Sequence, residues 1–186
     1  MERIITIFGS NQPTPGTSDY TVAYELGKRL AERGFTICNG GYGGTMEAAA
    51  RGAAEAGGMT IGVVVQRFSP QANPWITKTI VTNSLFERLE TLLNLGTGYV
   101  VLKGGTGTLV ELAMSWEYVN KGLSPPKPIV LLGEFWNSVV DTVLKEIGPA
   151  QAAEGGQPAP MLPQFIHKCQ TPQDAVSILT SLLPPS

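Results

Sequence analysis

Gly104, Gly105, Thr106, Gly107 and Thr108, with Glu111 shortly after them, set out the chemistry open to this chain. They follow Tyr99 to Leu102, an apolar run of the kind that forms a buried parallel strand. A helical pattern comes next. Strand, glycine turn and helix N-terminus together make a phosphate site, because first-turn N–H groups lack intrahelical partners and the dipole favours an anion. Glycine lets the backbone approach a ligand without a Cβ in the way, and the two threonine hydroxyls add donors. Glu111 lies three residues after Thr108, on the same helix face. There it is either a partner of the helix dipole, worth about 0.3–1 kcal/mol, or an acid or base beside a bound phosphate.

Arg88 is the second reactive candidate. It stands one turn after Ser84 on the same face of a helix, while Glu87 points about 100° away, toward solvent. A guanidinium suits phosphate because its planar fork donates two parallel hydrogen bonds. The alternative is a plain salt bridge. No acidic residue stands three or four positions from Arg88, so such a bridge must be tertiary. Glu47 offers either a contact to a ribose hydroxyl or base edge, or a dipole partner for its own helix.

These residues need a scaffold that brings them together. Arg3 to Phe8 predicts a strand, and Tyr20 to Arg33 a helix capped by Ser18 or Asp19. Strands follow at Phe35–Asn39 and Met59–Val65, separated by a helix from Thr45 to about Ala56. A turn-rich loop, Arg67 to Pro74, leads to a strand at Lys78–Thr82 and a helix ending near Leu95, capped by Asn83 or Ser84. The central strand and a helix to Asn120 come next, then a strand at Pro128–Leu132 and a helix from Phe135 to Ile147. Pro149 to Pro163 lacks any period and predicts an exposed, mobile loop. A short strand over Gln164–Cys169 and a final helix ending before Pro184 complete the chain.

Strands alternating with helices imply an α/β, Rossmann-like doubly wound parallel sheet of about seven strands, helices on both faces. The 186 residues fit one domain, 1–186. Ligands of such sheets bind at the carboxyl ends of the strands, near the switch in strand order. Four turns fall at those ends. They are Gly9-Ser10; Gly40, Gly41, Tyr42, Gly43 and Gly44 with Met46 and Glu47 behind them; Asn83-Ser84; and Gly104 to Thr108. All four are expected to line one crevice.

Several classes are excluded. The dinucleotide fingerprint fails, since Val110 and Met46 stand where its third glycine belongs, and Cys38-Asn39 lacks the acidic ribose ligand. Gly27-Lys28 lies inside a helix and is no Walker loop. The ligand is therefore a mononucleotide or another compact phosphate rather than NAD, and no resident cofactor is required. His167 is the sole histidine, so neither a metal cluster nor a Ser–His–acid triad can be assembled. A net charge of −2 with 15% charged residues argues against nucleic-acid partners. No apolar run is long enough for a membrane helix, and the N-terminus enters a strand without a signal peptide. Cys38 and Cys169 read as buried small hydrophobes. Trp75, Trp116 and Trp136 read as core or interface. A soluble cytoplasmic protein is expected.

Gly104-Gly-Thr-Gly-Thr-Leu-Val-Glu111 resembles the Gly-Gly-x-Gly-Thr-x-x-Glu signature of the Lonely Guy family. These are cytokinin riboside 5′-monophosphate phosphoribohydrolases, once labelled lysine decarboxylases. Leu85-Phe-Glu-Arg-Leu89 resembles the upstream Met-x-x-Arg-Lys motif, and Phe8-Gly-Ser10 and Gly40 to Met46 match in kind and place. The resemblance covers nearly the whole chain. It implies that Arg88 and Glu111 form the catalytic pair, that the glycine loop holds a 5′-phosphate, and that the protein is a homodimer. The reaction implied is hydrolysis of the N-glycosidic bond of a nucleoside 5′-monophosphate. Leu89 stands in place of the motif lysine, Leu85 in place of its methionine, and Lys103 where proline is usual. Shorter Rossmann-like proteins, among them molybdenum-cofactor carriers, resemble the stretch Gly40 to Gly52 about as well. They imply the alternative of a non-catalytic binder of a nucleotide or of that cofactor.

Overall fold

The computed structural model describes residues 3–147 and 165–185. Among these residues seven strands and six helices follow in order, with β3 and β4 joined by a loop rather than a helix: β1 Ile4–Phe8, α1 Ser18–Glu32, β2 Thr36–Asn39, α2 Thr45–Glu55, β3 Thr60–Val65, β4 Lys78–Thr82, α3 Leu85–Leu95, β5 Gly98–Val101, α4 Thr106–Asn120, β6 Ile129–Leu132, α5 Asn137–Ile147, β7 Ile166–Cys169 and α6 Pro172–Leu182. The strands form one parallel sheet in the order β4-β3-β2-β1-β5-β6-β7. The Rossmann-like architecture read from the sequence is the one observed.

Side-chain alternation along the central strand builds both layers of core. Ile5 and Ile7 of β1 meet α1, α2 and α6 through Ala23, Leu26, Ala49 and Val176. Ile4 and Phe8 meet α3, α4 and α5 through Leu92, Leu112, Trp116 and Val140. Cover on both faces explains why β1, β3, β5 and β6 are buried throughout and mostly apolar. β4, at the sheet edge, is largely exposed.

Local chemistry moves some boundaries. Thr17, rather than Ser18 or Asp19, caps α1 by accepting from the Tyr20 N–H at 3.4 Å. The helix expected from Phe135 starts at Asn137, because Trp136 is drawn inward and its Nε1 donates to the Leu102 carbonyl at 2.8 Å. Cys38 and Cys169 are buried and unpaired, as expected. Trp116 and Trp136 are buried, and Trp75 lies beneath the Arg51 guanidinium. The loop expected over 149–163 lies outside the described residues. Among the described residues, no helix is long and apolar enough to cross a membrane.

Candidate functional site

The strand order reverses between β1 and β5, and a cleft of about 670 Å³ opens there at the carboxyl ends of the strands. Its floor is the end of β1, Ile7 to Ser10. One wall is the Gly105–Thr108 turn with Glu111 of α4, and the opposite wall is Gly40, Tyr42 and Met46.

Arg88 enters from α3. Its Nε donates to the Val63 carbonyl of β3 at 2.8 Å, and its guanidinium carbon lies 5.7 Å from the centre of the Tyr42 ring. Gly40 makes room for it, since a Cβ there would fall 1.7 Å from Arg88 Nη2. Nη1 then stands 3.7 Å from Glu111 Oε1, with the two side chains 15% and 14% exposed. This is the tertiary pairing that the missing helical partner requires. Burial pushes the Glu111 carboxyl up to about 7, and the Arg88 charge opposes that rise. A carboxyl tuned near neutrality exchanges a proton readily at physiological pH.

The N-terminus of α4 is the second half of the site. Gly105 is its N-cap residue, and among the described residues no side chain caps it. The helices α1, α3 and α6 are all capped, by Thr17, Ser84 and Thr171. No acidic residue stands in the first turn of α4 to answer its dipole. Cβ atoms added at Gly105 or Gly107 would meet nothing within 4 Å among the described residues, and Gly105 has an ordinary φ of −95°. Neither strain nor packing demands glycine at these two positions. What they provide is open access to backbone N–H groups.

The cleft gathers Gly9, Ser10, Gly40, Met46, Gly105, Thr106, Gly107, Thr108, Arg88 and Glu111 from the residues expected at the site. Others expected there do not line it. Ser84 caps α3 by accepting from the Glu87 N–H at 3.1 Å, and the Asn83 N–H donates to Glu87 Oε2 at 2.7 Å. This pair closes the helix end at the edge strand, and the site is reached one turn later, by Arg88. Glu47 accepts instead from the Tyr20 hydroxyl, at 3.3 Å. Gly41 is buried with a φ of +75°, its N–H donating to Asn39 Oδ1 at 2.8 Å. Gly43 also falls outside the lining. Gly104 is packed against Thr108, whose Oγ1 would lie 2.2 Å from an added Cβ.

The cleft also holds Tyr42 of the second glycine turn, and residues that sequence reasoning missed: Asn11, Gln12, Phe68 and Ser69. Asn11 and Gln12 directly follow Gly9-Ser10, so adjacency was a usable signal. Phe68 and Ser69 carried none. Leu89, in place of the motif lysine, packs against the core beneath α3. Lys103 turns away from the cleft to Asp19, 3.3 Å distant. Among the described residues, no cluster of His, Cys, Asp or Glu could hold a metal ion.

The model of the SLOG cluster4 family matches residues 2–155. The chain belongs to that family. Among curated relatives, the cytokinin riboside 5′-monophosphate phosphoribohydrolase of Mycobacterium tuberculosis is 34% identical over 114 residues, covering 60% of each chain. The enzyme of the same name from Rhodococcoides fascians is 29% identical over 136 residues, 70% of this chain and 67% of that one. Of solved structures, the molybdenum cofactor binding protein of Rippkaea orientalis superposes with a TM-score of 0.77 at 23% identity, covering 98% of both chains. That likeness shows the shared fold.

Proposed function

We propose that this SLOG protein hydrolyses the N-glycosidic bond of a nucleoside 5′-monophosphate, releasing the base and ribose 5-phosphate. The observation that carries the reading is the Arg88–Glu111 pair, shielded and 3.7 Å apart, beside an uncapped helix N-terminus. The first turn of α4, with Thr106 and Thr108, holds the 5′-phosphate. Arg88 adds positive charge and orients Glu111. As the C1′–N bond breaks, the Glu111 carboxylate stabilises the oxocarbenium-like charge at C1′ and accepts a proton from the attacking water. The oxygen of that water ends on C1′, the base leaves with the bonding electron pair, and Glu111 passes on to it the proton taken from the water, which returns the carboxylate. Cytokinin-type nucleotides are the substrate class suggested by the names of the curated relatives. The protein acts as one domain and as a homodimer in the cytoplasm, where two unpaired thiols suit a reducing compartment.

Incubation with AMP and with isopentenyladenosine monophosphate, followed by chromatography for free base, tests this directly. Base release is expected, and Glu111→Ala should lower it by about 10²–10⁴-fold. A second reading, a non-catalytic carrier of a phosphate-bearing cofactor, is favoured by Leu89, which leaves the site without the motif's lysine charge. Binding of AMP or molybdopterin without release of base would select it.

A further inference from the structure

Phe68 lines the cleft and is 62% exposed. It belongs to the loop after β3, whereas Gly105 and Thr106 follow β5. Three strand spacings separate β3 from β5 in the sheet, roughly 14 Å at the usual interstrand distance. With a contact distance at each end, that accommodates a nucleotide extended from its phosphate to its base. The Arg88 guanidinium bridges part of that span, from the Val63 carbonyl of β3 to Glu111 of α4.

The ring is exposed but its backbone is not loose. Both the Phe68 and the Ser69 N–H donate to the Val65 carbonyl, at 3.0 and 3.1 Å. The Tyr42 hydroxyl accepts from the Val65 N–H at 2.8 Å and donates to the Ser69 carbonyl at 3.2 Å, tying the turn to the cleft wall. Farther along the loop, Asn73 donates to the carbonyls of Gly41 and Tyr42. The ring of Tyr42 already carries the Arg88 guanidinium. Phe68 therefore offers a free aromatic face on a fixed turn, with the Met46 thioether on the same cleft wall as Tyr42. Such a surface recognises a flat, conjugated ring by stacking.

We infer that Phe68 is the specificity-determining residue that stacks on the base of the bound nucleotide, selecting ligands with an aromatic ring over bare sugar phosphates. The inference rests on the nucleotide reading above. Affinities for AMP and for ribose 5-phosphate should be measured by calorimetry in the Glu111→Gln protein, which holds AMP without turning it over. Adding Phe68→Ala should weaken AMP binding about tenfold and leave ribose 5-phosphate binding unchanged, while Phe68→Trp should restore AMP. Equal weakening of both ligands, or no change for AMP, overturns the role of Phe68 and leaves the nucleotide site standing. If neither ligand binds the parent protein, the nucleotide reading falls and the role of Phe68 with it.

Discussion

Two glycine turns close on the same cleft, and their glycines do opposite work. In the Gly40–Gly44 turn the surroundings demand glycine at Gly40, Gly41 and Gly44. Gly40 leaves space for Arg88, and Gly44 has a φ of +70° with the Ser10 carbonyl oxygen 2.3 Å from where a Cβ would sit. Its polar groups are also spoken for. The Thr45 N–H and hydroxyl both donate to the Ser10 carbonyl, and Asn39 and Asn73 engage Gly41. In the Gly104–Thr108 turn only Gly104 is pressed by a neighbour, while Gly105 and Gly107 face open space. Similar sequences have given one turn that is a frame and one that is a receptor. Arg88 packs on the first and Glu111 stands on the helix of the second, so their contact is where the two meet.

That contrast can be broken by substitution. Gly44→Ala adds left-handed strain and a clash with backbone, and should cost about 3 kcal/mol of stability in urea denaturation. Gly107→Ala meets neither obstacle. It should leave stability unchanged or raise it by up to about 1 kcal/mol, yet weaken ribose 5-phosphate binding because the methyl group intrudes on the ligand. Loss of stability at Gly107 comparable to that at Gly44 would erase the distinction.

The contact between the turns sharpens it further through pH. Glu111 is held near 7 in the folded protein, above its ordinary value of 4.5. A carboxyl raised by folding contributes stability that is full below its unfolded pKa and is lost as pH rises through its folded one. The stability of the native chain relative to Glu111→Gln should therefore fall between about pH 4.5 and 7 and level off above. Denaturation midpoints of the two proteins across that window check the sign. A difference that stays flat would mean that Glu111 is not shielded by the two walls.

How much of this was legible beforehand follows from how local each signal is. The strands β1, β3, β5 and β6 are mostly apolar runs with a glycine or proline near at least one end, so the sheet could be read directly. The receptor turn was equally plain, because strand, glycines and helix start are contiguous. Asn83-Ser84 was harder to read, because a residue that caps a helix and one that binds a ligand look the same in sequence. The Glu87 side chain folding back shows the cap. Phe68 was invisible for a different reason. Its loop has no periodicity, and its place in the cleft depends on Tyr42, far away in the chain. The missing acidic neighbour of Arg88 was the one long-range clue that sequence could give, and Glu111 answers it.

The two thiols have a consequence of their own. Cys38 lies in β2, fully enclosed, with burial pushing it up to about 12, and Cys169 lies in the outer strand β7, raised to about 11. Neither offers a thiolate to an alkylating reagent while the sheet is closed. Each can be modified only when its own strand opens, and the chain has no other cysteine to confuse the record. The molecule thus carries two internal clocks, one at its centre and one at its border. Their relative rates of labelling tell whether the sheet comes apart from the edge or all at once.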